Sequence, residues 1–304
     1  MNSDPENGDT TAAPTLTPTA RQVNLASLLR NLVQASRALR SPEGASKLIP
    51  GSMAFEEDQA WRATHEEPAD RLITEALASG FRLLVAAEHH LEGMADFAGY
   101  ASRGFPTLTL ARACIEAVSL AHWMLDPRIG AEERSRRAAH QVRDAAGAAR
   151  TFSTKTRIEF DAKDVKALDE LFGVAASVEG GVASRPNWEQ LARSLAGELG
   201  LEARLSDSGF GVLVDAAHTG KNARDTIVPS WTSDGVPDVQ FHPITEWAYW
   251  FAGNLYAAAV LRAGELLGWP ELDAWLADVT RIRAAMQRLF NEVKAERMGE
   301  VVGD

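Results

Sequence analysis

The sequence predicts an all-α fold, a single bundle of several helices, and three observations carry that expectation. Apolar residues recur at helical spacing through most of the chain, strand-like alternation is scarce, and Pro and Gly punctuate the ends of the apolar stretches. Residues 1–20 are rich in Thr, Pro, Ala and acids and lack bulky apolar side chains, so burial cannot offset the entropy of ordering them, and a disordered tail is expected. Residues 21–40 place Leu25, Leu28, Leu29, Leu32, Val33 and Leu39 on one side of an amphipathic N-terminal helix. Residues 41–63 hold two prolines and two glycines without clear periodicity and read as a connector. The helical domain is then expected over 64–298. Thr64 and Glu67 have the spacing of a capping box, which starts a long helix running to about 101. Pro106 opens a second helix through Leu125, closed by Asp126-Pro127 because the residue before proline is pushed out of the helical region. Further helices are expected over 131–152, 162–177, 186–199, 204–219, 244–268 and 270–297. Between 220 and 243 Pro229 and Pro237 demote an alternating stretch to a long loop with at most a short β-ribbon.

Composition narrows the function. The 304 residues carry 31 basic and 42 acidic side chains, a net charge of −11, which opposes broad binding to a phosphate backbone. Nucleic acid is therefore a disfavoured partner, with a local basic patch around 128–143 the one route to it. A lone Cys114 rules out an internal disulfide framework and fits a reducing compartment, so a cytoplasmic location is expected. The start of the chain has neither the basic residues nor the apolar run of a signal peptide. Trp247 to Leu261 is uncharged over 15 residues, short of the roughly 18 needed to span a bilayer, and reads as a buried helix.

The helix over 107–125 is apolar nearly all round, and such a helix is buried. Arg112, Glu116, Ser119 and Trp123 share its one narrow polar stripe, so the two charges need partners inside the domain. The helix over 204–219 repeats the pattern, with Ser208, Asp215 and His218 on a narrow stripe, and Asp215 can touch His218 and raise the basicity of the imidazole. Arg112, Glu116, Asp215 and His218 are accordingly the candidate catalytic or binding cluster, to be weighed against a buried network that sets helix register.

Other chemistry is thinner. Glu88 and His90, beside His89 and Glu92, are the residues that invite a metal, yet their angles on the helix disagree and no second helix supplies a matching pair, so no metal site is expected. Cys114 reads as a small buried hydrophobe. Trp247, Tyr249, Trp250, Phe251 and Tyr256 could line a pocket but at helical spacing read as core. No Gly-rich phosphate loop or nucleophile elbow is present, and nothing calls for a cofactor.

The run TLARACIEAVSLAHWMLDPRIGAEERSRR, preceded by AAEHHLEGM and followed by GVLVDAAHTG, resembles a widespread group of bacterial all-helical proteins of unassigned activity. The likeness rests on Arg112 and Glu116 as Arg-x-x-x-Glu, on Trp123, Asp126 and Pro127 as Trp-x-x-Asp-Pro, and on His218 in a late helix. That group is distantly similar to the HEPN helical superfamily, whose nucleases use an Arg and a His separated by four to six residues. Arg134 and His140, separated by five, match that spacing, while the charged run around them also reads as a solvated helix face. The expected function is a cytoplasmic helical binding module for a small molecule or a protein partner, a second copy of the chain included. The alternative is an enzyme, in its concrete form a HEPN-like RNA-cleaving or nucleotide-binding protein that uses an Arg/His pair, with His140 or His218 as general acid or base and a nearby Arg on the phosphate.

Overall fold

A computed structural model describes residues 20–40, 48–67, 69–98, 104–156, 186–201 and 243–301, together with 166, 170, 173, 213, 230–231 and 237–238. The expected tail and the bodies of the expected helices over 162–177 and 204–219 lie outside the described residues. Those that are described form an all-helical bundle of eight helices and one two-residue ribbon. The helices are α1 (Ala20–Leu39), α2 (Met53–Thr64), α3 (Leu72–Phe97), α4 (Gly104–Met124), α5 (Ala131–Thr156), α6 (Trp188–Glu198), α7 (Pro243–Leu267) and α8 (Leu272–Val301). The ribbon pairs β1 (Ser230–Trp231) with β2 (Pro237–Asp238), antiparallel, with Ser230 opposite Asp238.

Two boundaries differ from the sequence reading for physical reasons. The stretch read as a connector over 41–63 contains α2, because Ser52 caps it by accepting the Phe55 N–H at 3.2 Å. Thr64 ends α2 and does not cap α3. Its hydroxyl donates back to the carbonyls of Ala60 and Trp61, at 3.2 and 3.1 Å, and a 3-10 turn over Ala69–Arg71 leads into α3. Pro106 is the third residue of α4 and costs no hydrogen bond there, since first-turn N–H groups have no helical acceptor.

α3 and α4 form an antiparallel hairpin held by close backbone approach. A Cβ on Gly80 would stand 2.6 Å from Leu125 Cγ, and one on Gly93 would stand 3.0 Å from Leu110 Cδ1. α7 lies at the centre, touching α1, α2, α3, α4, α6 and α8, and its residues from Thr245 to Val260 are all buried. The aromatics on α7 are core, as Trp247 stacks on Phe251 at 5.0 Å and Trp250 on Phe290 of α8 at 4.6 Å. α1 closes the bundle through Leu25, Leu29, Leu32 and Val33, each buried leucine contributing about 1.5–3 kcal/mol over its exposed state. No helix among the described residues is long and apolar enough to cross a membrane.

Candidate functional site

α4 is wrapped as its composition demands, with Ala111, Cys114, Ile115, Val118 and Ala121 fully buried. Cys114 sits deep enough that burial pushes its thiol far above the usual range, so it is no nucleophile. The polar stripe runs along the side of α4 between α5 and α6. Arg112 and Glu116 are half-buried, and Trp123 is buried. The Arg112 guanidinium lies over the ring of Trp188, Cζ to centroid 5.4 Å, and Trp188 is placed by the Asn187/Gln190 capping box that starts α6. At the other end Trp123 lies between the Arg137 guanidinium, 5.0 Å above its ring, and His140, edge-on at 6.3 Å. His140 Nδ1 is 3.4 Å from Asp144. Glu116 stands between these two stacks and makes no hydrogen bond or ion pair with a described residue. Asp215 and His218, expected to complete this cluster, lie outside the described residues.

Arg134 belongs elsewhere and corrects the reading of its helix face as solvated. Its side chain is fully buried and fans its donors to protein oxygens: Nε to Glu57 Oε2 at 2.8 Å, Nη1 to Met124 O at 2.5 Å, Nη2 to Asp126 O at 3.1 Å and to Ile129 O at 3.3 Å. One turn on, Arg137 donates from Nη1 to Trp123 O at 2.5 Å and from Nε to Glu133 at 2.7 Å. The two guanidiniums satisfy the last carbonyls of α4, where the helix dipole favours positive charge. Arg134 thus spends its donors on protein oxygens, while His140 lies beside Trp123 and Asp144. The sequence held a signal for this, since Asp126-Pro127 stops α4 abruptly and strands its carbonyls, but Glu57 is 77 residues away and nothing local announces it.

A further charged group joins the ends of α4, α6 and α7, and the sequence reading missed it. His122 is buried, its Nε2 3.4 Å from Glu198 Oε2 and off the line of a hydrogen bond. Arg128 bridges Asp126 (2.8 Å) and Glu198 (2.7 Å), and Arg262 approaches Glu198 at 3.7 Å. Burial lowers the His122 pKa against the opposing pull of Glu198 and Asp126. Burial acts to raise the Asp126 carboxyl, but the hydrogen bonds from Arg128 outweigh it and hold the group below its usual value.

Glu88, raised as a metal candidate, is a buried ion-pair acceptor. It receives Arg40, Arg37 Nε at 3.3 Å and the Tyr256 hydroxyl at 2.5 Å, tying α1 and α7 to α3. Burial first, and then Glu88, drive the Tyr256 phenol well above its usual pKa. His89 faces solvent beside Glu92, and His90 is half-buried with its pKa lowered by burial and by His89. Among the described residues no group of three or more His, Cys, Asp or Glu is arranged to hold a metal. No protein-family model, no curated protein and no solved structure matches the chain.

Proposed function

We propose that this protein is a cytoplasmic binding module, and that its ligand is a small molecule docking on the α4 stripe between Trp188 and His140. One observation carries the reading: Glu116, half-buried between two arginine–tryptophan stacks, has no polar partner among the described residues. A partly buried carboxylate without a counter-charge is a cost to the fold, and a ligand presenting a cation or hydrogen-bond donor removes that cost. The half-buried indole of Trp188 adds an apolar surface of the kind that binds small ligands. The Arg134/His140 form of the RNA-cleaving alternative would need Arg134 to hold a phosphate, and that guanidinium is bonded to protein oxygens; the form through His218 falls outside the described residues.

The test is Glu116→Gln, followed by thermal melting and by native mass spectrometry after equilibration with a cell-derived metabolite extract. The wild type should retain a bound species that the variant loses, with the variant melting at or above the wild-type temperature. A variant that melts lower, with no bound species on either protein, would assign Glu116 to the fold and overturn the proposal.

A further inference from the structure

The buried length of α7 from Trp247 to Val260 carries no charge and a single amide, Asn254, which is 4% exposed. That amide is fully engaged. Its Nδ2 donates to Trp250 O at 2.7 Å, and its Oδ1 accepts from Nε of Arg283, on α8, at 2.8 Å. Arg283 is half-buried, and burial lowers its pKa. Four other arginines with reduced exposure have a carboxylate partner: Arg40 meets Glu88, Arg134 meets Glu57, Arg137 meets Glu133 and Arg262 meets Glu265. In a chain with 42 acidic residues, none of those described forms an ion pair with Arg283. A guanidinium stays protonated in a protein, so the charge at this place is fixed.

The geometry also fixes the direction in which that charge can act. With Nε held by a buried amide, the edge left is the fork of the two terminal amino groups, which no described residue bonds. This edge matches the two oxygens of a carboxylate or phosphate, and an arginine already held by a second residue loses less entropy on binding. We infer that Arg283, positioned by Asn254 where α8 packs on α7, is an oxyanion subsite that takes the carboxylate or phosphate of a small ligand. It is separate from the α4 stripe and stands whether or not Glu116 binds anything.

Nitrogen-15 NMR of the arginine Nε–H groups in the full chain tests this, titrating inorganic phosphate in one arm and acetate in another, with ionic strength held constant. The Arg283 resonance should shift and saturate, and the arm that saturates at lower concentration identifies the oxyanion class. Arg288, exposed on the same helix, should drift without saturating. Asn254→Ala should weaken saturation about tenfold by releasing the fork, the effect of one hydrogen bond to a charged group. Arg283→Gln, whose half-exposed site tolerates the change, should remove any saturating response of the Asn254 side-chain amide. If Arg283 merely follows Arg288 in both arms, or the Asn254 response survives in Arg283→Gln, the inference is wrong.

Discussion

Arg134 Nη1 donates to the carbonyl oxygen of Met124 across 2.5 Å, so a residue of α5 closes the end of α4. The same guanidinium reaches Glu57 of α2, which makes one side chain the junction of three helices. Arg134→Ala would strand the α4 carbonyls and the Glu57 carboxylate together. We expect it to cost about 3–5 kcal/mol in urea unfolding, the range for breaking a buried charged pair. Arg134→Lys should recover only part of that, since an ammonium cannot reproduce the planar fork. Arg136→Ala, with its side chain at the surface, should leave the unfolding midpoint unchanged.

The Tyr256 hydroxyl and Glu88 form the second buried junction. Tyr256→Phe removes one hydrogen bond to a charged acceptor and should cost about 1.5–3 kcal/mol. Glu88→Gln should cost more, because it leaves Arg40, with 8% of its side chain exposed, facing a neutral amide. Equal losses in the two variants would show that Arg40 finds its counter-charge elsewhere.

His122 should make stability depend on pH. Its folded pKa lies below the unfolded value of about 6.5, so the unfolded chain takes up a proton first. The stabilising contribution is therefore present above that value and is lost as the pH falls through it towards the folded pKa. Melting temperature should drop on acidification from neutral pH, and His122→Gln should flatten the drop. His90 shifts in the same direction from a half-buried position, so a residual slope is expected in the variant.

Gly80→Ala should destabilise the protein although alanine is the better helix former. The added methyl would stand 2.6 Å from Leu125 Cγ, forcing the α3–α4 hairpin apart, and overpacking of this kind costs about 1–3 kcal/mol. Gly130→Ala is the control, since a Cβ there meets nothing within 4 Å. A gain in stability for Gly80→Ala would mean that Leu125 turns aside freely.

The helical class, the positions of most helices and the burial of α4 could be read from the amino-acid order, because each follows from the spacing of apolar side chains along one segment. That order also placed Arg112, Glu116 and Trp123 on a common stripe, since helical periodicity is local. Tertiary structure alone decided what the charges do. Arg134 and Glu88 look like surface or ligand residues in sequence, and become buried clasps because their partners, Glu57 and Arg40, arrive from positions 77 and 48 residues away. The partners of His122 and Asn254 were out of reach for the same reason, as Glu198 and Arg283 come from other helices. Periodicity reports which side of a helix is apolar, whereas the sign and reach of the neighbour that neutralises a buried charge depend on how the helices pack.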